Sequence, residues 1–412
     1  MKIAILSVLM VLSLAWYYKF EEPKALNRMA KANTRTTKAI ITGADQTEKY
    51  LPYLKGKRIG MVVNPSSLIA SKTSVDSLKA LGVNIVKIFG PEHGFRGDAS
   101  NGAHVDDSTD PKTGIPVVSL YGKSGKPAPQ DLAQVDLMIY DLQDVGARYY
   151  TYLATLHRVM EACAENDKEL MILDRPNPNG YIVDGPVLDM KLKSGIGFHP
   201  VPIAHGMTVA EYAQMINGQG WMAGGIKCKL KIIPLANYDH SMPYTLPVHP
   251  SPNLNTQQSI LLYPSLCLFE GTIISQGRGT LFPFTVLGNP DLKSKYKFAF
   301  TPKSIPGMSE TPLFQDVECY GLDLRNYDTR KLIKSKQVNL NWLLEMYKAY
   351  PNKDRFFDFK QSKQMGNFDK LAGTTSLKEQ IIAGKTEKEI RESWEPALTQ
   401  FKNMRKLYLL YP

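Results

Sequence analysis

NIVKIFGPEHGFRGD, residues 84–98, joins an apolar run rich in β-branched and aromatic residues to a glycine-punctuated loop that carries a carboxylate, an imidazole and a guanidinium. Asn84 to Phe89 has the composition of a buried strand, so the loop presents Glu92 and His93 at that strand's carboxyl end. In open α/β sheets this is the edge where ligands bind. The same pattern repeats on both sides. Arg58 to Asn64 is a short apolar strand ending in the turn Asn64-Pro-Ser-Ser67, and Thr73 to Leu81 carries Val75, Leu78 and Leu81 at helical spacing before Gly82. Pro116–Tyr121, Leu137–Leu142 and Glu169–Leu173 read as further strands, and Tyr149–Asn166 as a helix with Leu153, Leu156, Met160 and Cys163 on one face. A helix opening at the capping-box spacing Thr208-x-x-Glu211 and a strand over Cys228–Pro234 extend the series. This alternation predicts an α/β fold, a Rossmann-like and mostly parallel sheet with helices on its faces.

Outward from that core, the sequence divides into four parts. Met1 to Phe20 pairs Lys2 with an apolar stretch from Ile3 to Trp16, a length that suits a signal-peptide core. No clean Ala-x-Ala site and no nearby cysteine follow, so signal peptide and uncleaved N-terminal membrane anchor both stand. Either predicts export to the periplasm or cell envelope. Residues 21–47 read as a linker and 48–265 as the Rossmann-like catalytic domain. Residues 266–412 read as a smaller α+β domain that completes the cleft. Strands are expected there near Lys297–Phe300 and Cys319–Leu324. Helices are expected at Asn339–Tyr350, at Ser376–Ala383 and from the capping box Thr386-x-x-Glu389 onward, the last bent at Pro396. The 43% hydrophobic content fills ordinary globular cores, and the formal charge of +11 favours an acidic partner. The basic residues are scattered and form no run of nucleic-acid type. The four cysteines are far apart, without a Cys-x-x-Cys pair, and read as buried thiols.

The polar residues fall where the strands end: Asn64 after the first, Glu92 and His93 after the second, Tyr121 after the third, Asp144 and Arg148 after the fourth, Asp174, Arg175, Asn177 and Asn179 after the fifth. In a parallel sheet all of them share one rim. Glu92, flanked by Pro91 and His93 with Phe89 and Phe95 as walls, is placed for partial desolvation, which raises a carboxyl pKa and keeps a proton available. Such a proton donor, with a second supporting group, is what cleavage of a glycosidic bond requires. His93 is suited to orienting Glu92 or moving a proton, and equally to a structural role. Arg96 and Asp98 are close enough to pair. Asp144 reads either as a helix cap or as the second carboxylate, with Glu270 in reserve. Arg148 offers a fork for a carboxylate, and Tyr149 with Tyr150 and Tyr152 offers rings for stacking. Asn177 and Asn179 in DRPNPNG, and Asn253 in SPNLN, supply amides on proline-stiffened loops, which suit hydroxyl-rich ligands. His205 and Arg278 adjoin glycines, where a ligand approaches the backbone closely.

NPSS at 64–67, GPEHGFRGD at 90–98, SLYG at 119–122, YDLQDVGARYYTY at 140–152, LDRPNPNG at 173–180, HGMT at 205–208, PSPNLNT at 250–256 and FEGTIISQGRGT at 269–280 together resemble the exo-β-N-acetylmuramidase family. The resemblance implies an exported, cofactor-free glycosidase that releases N-acetylmuramic acid from the non-reducing end of peptidoglycan fragments such as MurNAc-GlcNAc. It also implies a cleft shared by a Rossmann-like domain and a smaller C-terminal domain, with Glu92 as the leading catalytic residue. The lactyl carboxylate of muramic acid would then meet Arg148 or Arg278.

Two other classes compete with this reading. One is a non-catalytic cell-wall glycan-binding protein. The other is a metal-dependent amidase or deacetylase using His93, Asp98, His104, Asp106 and Asp107, whose spacing matches no standard zinc signature. No Gly-x-Gly-x-x-Gly, Walker lysine or Gly-x-Ser-x-Gly element is present. The preferred reading therefore takes no metal, no cofactor and no nucleic acid.

Overall fold

Seven strands form the main sheet of the computed structural model, which describes residues 38–91, 94–96, 107–120, 125–357 and 368–412. They are β1 (Ile59–Val63), β2 (Ile85–Gly90), β3 (Ser108–Thr109), β4 (Pro116–Ser119), β5 (Leu137–Asp141), β6 (Glu169–Leu173) and β7 (Lys229–Ile233), arranged β3-β4-β2-β1-β5-β6-β7. Only β3 runs antiparallel to its neighbour; every other pair is parallel. Leaving out β3, the parallel strands follow the doubly wound order 3-2-1-4-5-6. The chain winds outward from β1 through β2 and β4, then crosses back to β5 on β1's other side. Val62 pairs with both Phe89 and Tyr140, and Val63 with Asp141, so the loops leaving β1, β2 and β5 emerge side by side.

β1 and β5 are buried at every position, the signature of a parallel sheet covered on both faces. Alternate side chains feed two cores. Val62, Met138, Tyr140, Leu170 and Ile172 pack with the helices Tyr152–Glu165 and Val209–Gly218. Ile59, Met61, Val63, Leu137, Ile139, Met171 and Leu173 pack instead with Val75 and Leu78, and with Tyr50 and Leu54. The last two belong to a helix, Thr47–Leu54, that the linker assignment and the first strand at Arg58 leave out.

The first core runs on into the C-terminal part through Leu266, Phe269, Leu343 and Phe401, and residues 40–412 form one compact unit. That smaller part contains a three-stranded antiparallel sheet, with Cys319–Asp323 between Val286–Asn289 and Phe298–Phe300. Its helices include Asn341–Ala349, Ser376–Ile382 and Glu387–Arg405. Thr386 and Glu389 form the expected capping box, and the helix they open is continuous across Pro396. Val286–Asn289 and the helix Gln257–Leu266 were not anticipated; Pro264 lies inside the latter. Cys163, Cys228, Cys267 and Cys319 are buried and unpaired. Among the described residues no helix is long and apolar enough to cross a membrane; Ile3–Trp16 lies outside them.

Candidate active site

The switch point of the sheet, between β1 and β5, is stitched together by side chains from three loops. After β1, the Asn64 Oδ1 accepts from the Ser66 N–H at 2.9 Å, and the Asn64 N–H donates to Ser67 Oγ at 2.9 Å, an Asx-type turn that the Asn-Pro-Ser-Ser sequence encodes locally. The Ser67 hydroxyl donates to the Asp141 carbonyl at the end of β5. The Asn64 amide reaches the Tyr152 hydroxyl at 2.8 Å, and Tyr150 donates to the Pro250 carbonyl at 2.9 Å. A wholly buried ion pair closes the rim: Arg175 Nε meets Asp141 Oδ1 at 2.7 Å, and its Nη2 donates to the Leu68 carbonyl at 2.8 Å.

Asp144 and His205 are brought together below this rim. Asp144 Oδ2 accepts from the Gly146 N–H at 2.6 Å and lies 3.5 Å from His205 Nε2. His205 Nδ1 accepts from the Met207 N–H at 3.2 Å, which leaves Nε2 as the ring's donor, facing the carboxylate. Asp144 Oδ1 is enclosed without a partner. Gly146 holds φ of +77°, and a Cβ there would stand 2.3 Å from Asn177 Oδ1, so only glycine lets the Asp144 loop lie against the Asn177 loop.

Several residues expected to contact a ligand instead satisfy the protein's own backbone. Asn177 donates to the Met207 carbonyl at 2.9 Å and accepts from the Asn179 N–H. Asn179 donates to the carbonyls of Val145 at 2.9 Å and Ile260 at 3.0 Å. Ile260 is the residue whose helical donor would be the N–H of position 264, and Pro264 has none; the Asn179 amide replaces it. Arg148 donates to the carbonyls of Pro186 and Val201 at 2.9 Å and Leu371 at 2.7 Å, and burial lowers its pKa to about 10. The Tyr149 hydroxyl bonds the Tyr263 and Pro264 carbonyls, while its ring packs edge-on against Tyr263 at 5.4 Å. The physical reason is common to all: irregular loops packed inside a protein leave carbonyls that need donors, and these side chains supply them.

Arg96 takes a different partner from the neighbour proposed for it. It holds Asp110 through two bonds of 3.0 and 2.9 Å, with Asp76 3.5 Å away, and Asp98 lies outside the described residues. With Phe95 buried and Gly94 N–H bonded to the Pro91 carbonyl at 2.9 Å, this clamp fixes both flanks of the segment carrying Glu92 and His93. Those two residues lie outside the described residues themselves.

Spare capacity remains on the segments that close over the rim. Asn253 donates to the Met308 carbonyl at 2.8 Å, and Asn255 donates to the Leu281 carbonyl at 3.0 Å, yet the Oδ1 atoms of both are enclosed and unpartnered. Glu270 Oε1 accepts from Gln276 at 2.9 Å and from Arg278 Nε at 2.5 Å, while Arg278 Nη1 has no partner. Burial opposes the charge on Arg278, but the Glu270 carboxylate outweighs it and raises the guanidinium pKa. Among the described residues no cluster of three or more His, Cys, Asp or Glu could hold a metal ion. Ser67, Asp141 and Gln143, which donates to the Asp144 and Pro176 carbonyls at 2.7 Å, were not singled out as site residues, although each lies inside a quoted motif, and Arg175 was named on the rim without a role.

Two family models match the chain in succession: exo-β-N-acetylmuramidase NamZ, N-terminal, over residues 59–258, and exo-β-N-acetylmuramidase NamZ, C-terminal, over 261–411. The chain is 39% identical over 399 residues to the peptidoglycan β-N-acetylmuramidase NamZ of Bacillus subtilis (strain 168), covering 93% of this chain and 94% of that relative. Two crystal structures of DUF1343 family proteins from Bacteroides fragilis NCTC 9343 share the fold. One has a TM-score of 0.82 at 44% identity and the other 0.76 at 28%, each covering 90% of this chain and 99% of the other.

Proposed function

Because the chain belongs to the exo-β-N-acetylmuramidase family, we propose that it removes N-acetylmuramic acid from the non-reducing end of peptidoglycan fragments such as MurNAc-GlcNAc. The observation that carries this is the pair of consecutive family matches, which together span the sheet, the rim and the C-terminal segments that close over it. Glu92 protonates the bridging oxygen as the aglycone leaves. Its flanks support that role, since Pro91 and Phe95, which bound its segment, are both buried. Asp144, held by Gly146 and facing His205, keeps one oxygen to accept a proton or a hydroxyl from substrate or water. Asn253 and Arg278 contribute further contacts from the other side of the cleft. The N-terminal apolar stretch directs the enzyme out of the cytoplasm, to the periplasm or cell envelope.

Incubation with defined MurNAc-GlcNAc, followed by mass analysis with and without chelator, is the test. Release of free N-acetylmuramic acid in both samples is expected. Binding without product would leave only a glycan-binding protein, and loss of product with chelator would assign the reaction to a metal.

A further inference from the structure

We infer that Arg278 recognises the lactyl carboxylate that distinguishes muramic acid from glucosamine, an inference that rests on the muramidase reading above. The structure separates the arginines that line or flank the rim by what their donors already do. Arg96 is held by Asp110 and Asp76, Arg175 by Asp141 and the Leu68 carbonyl, and Arg148 by three carbonyls at its Nη atoms, which leaves only its inner Nε without an acceptor. Among the described residues Arg278 is bound through Nε alone, and its Nη1 is enclosed without an acceptor. An unpaired buried donor is costly, and a ligand oxygen that meets it recovers that cost on binding.

The pairing with Glu270 orients the fork and leaves it able to bind. Glu270 is 3% exposed at its side chain and Arg278 16%, so the ion pair points its positive end outward. Glu270 occupies the Nε edge, which leaves the Nη edge, the geometry that takes a carboxylate through two parallel bonds. Gly277 and Gly279 flank the arginine at φ of +82° and +81°, and three residues after it Leu281 is 75% exposed, so the loop runs from core to surface within a few residues of the arginine. An aromatic row links this loop to the switch point: Arg278 lies 5.1 Å over Phe284, Phe284 packs on Tyr263 at 5.0 Å, Tyr263 on Tyr150 at 6.1 Å, and Tyr150 on Tyr152, which holds Asn64. The Asn255 amide, bonded to the Leu281 carbonyl, joins the same loop to the Asn253 segment.

The test compares 4-nitrophenyl N-acetylmuramide with its lactyl methyl ester, which keeps shape and leaving group but removes the charge. Wild-type kcat/KM should favour the acid by roughly 10- to 100-fold, the range expected for a hydrogen bond between charged partners. Arg278→Met should bring the ratio of acid to ester close to one, through KM more than kcat. Arg278→Lys, which preserves a charge opposite Glu270, should give an intermediate ratio and serves where Arg278→Met does not fold. Equal wild-type rates on acid and ester, or a ratio unchanged in the variants, would overturn the assignment. Failure of the wild type to release N-acetylmuramic acid from the plain disaccharide would instead strike the muramidase reading itself.

Discussion

Arg148 and Arg278 look alike in the sequence, each beside glycine or alanine in a polar loop, yet the two segments spend them in opposite ways. The 144–149 segment engages both Nη atoms of its guanidinium with the carbonyls of Pro186, Val201 and Leu371, drawn from three distant parts of the chain, and leaves only Nε without an acceptor. The 270–278 segment gives its guanidinium one carboxylate and leaves the far edge unused. The first arginine is a bolt between the sheet domain and the C-terminal helices; the second retains binding capacity. A polar rim is thus built from two populations, groups that satisfy the fold and groups left over for a ligand, and residue type does not tell them apart.

The strongest way to sharpen this contrast is to remove a group assigned to chemistry alone. Glu92→Gln should lower turnover by roughly 10³-fold with the melting temperature unchanged; comparable rates would remove the proposed acid. Next, Arg148→Lys should cost about 2–4 kcal/mol in denaturant unfolding, since a single ammonium cannot serve three separated carbonyls, whereas Arg278→Lys should cost under about 1 kcal/mol. The reverse order would break the comparison. Asn179→Ala should cost about 2–3 kcal/mol by orphaning two carbonyls. Pro264→Ala restores a backbone donor for Ile260, so the double variant should recover about 1 kcal/mol of that loss; strict additivity would show that the amide does not replace the missing N–H.

The smallest effects concern pH. Burial raises Asp174 to about 7, against the hydrogen bond donated by Tyr411 at 2.6 Å. The folded state therefore favours the protonated acid, and this contribution is complete below about pH 4 and lost as pH climbs to about 7. His157, paired with His199 at 2.8 Å, has the opposite sign, because burial lowers it to about 4. Its contribution is complete above about pH 6.5 and lost as pH falls to about 4. Relative to wild type, Asp174→Asn should make stability rise more steeply with pH between 4 and 7, and His157→Gln should make it rise less. Urea midpoints across that range would decide both.

The six parallel strands of the main sheet were legible because each is a short run with apolar residues bounded by turn residues, and observed ends fall within a residue or two of those read from the sequence, the usual uncertainty of boundaries; the two-residue edge strand β3, Ser108–Thr109, carries no such pattern and was not anticipated. The helix Thr47–Leu54 was not legible: Pro52 sits inside it and only Tyr50 and Leu54 are buried. Nor was Gln257–Leu266, where proline argued against a helix and the compensating donor, Asn179, lies 81 residues from Ile260. The described members of the polar rim do follow the strand ends as read, with Glu92, His93 and Tyr121 outside the described residues, but the division of labour among them was not foreseen. Asn177, Asn179, Arg148 and Tyr149 are bonded to backbone far away in sequence, and no local pattern encodes such a partner.

Sequence alone determined the fold class, the rim on which the polar residues gather and the family, because strand periodicity, turn chemistry and long ordered motifs are local properties of the chain. Only the tertiary structure decided the strand order, the switch point between β1 and β5, and which arginine keeps its terminal nitrogens for a ligand. Those depend on which carbonyls and carboxylates arrive beside each side chain when distant segments pack, and a buried hydrogen-bonding group is committed by whatever partner reaches it.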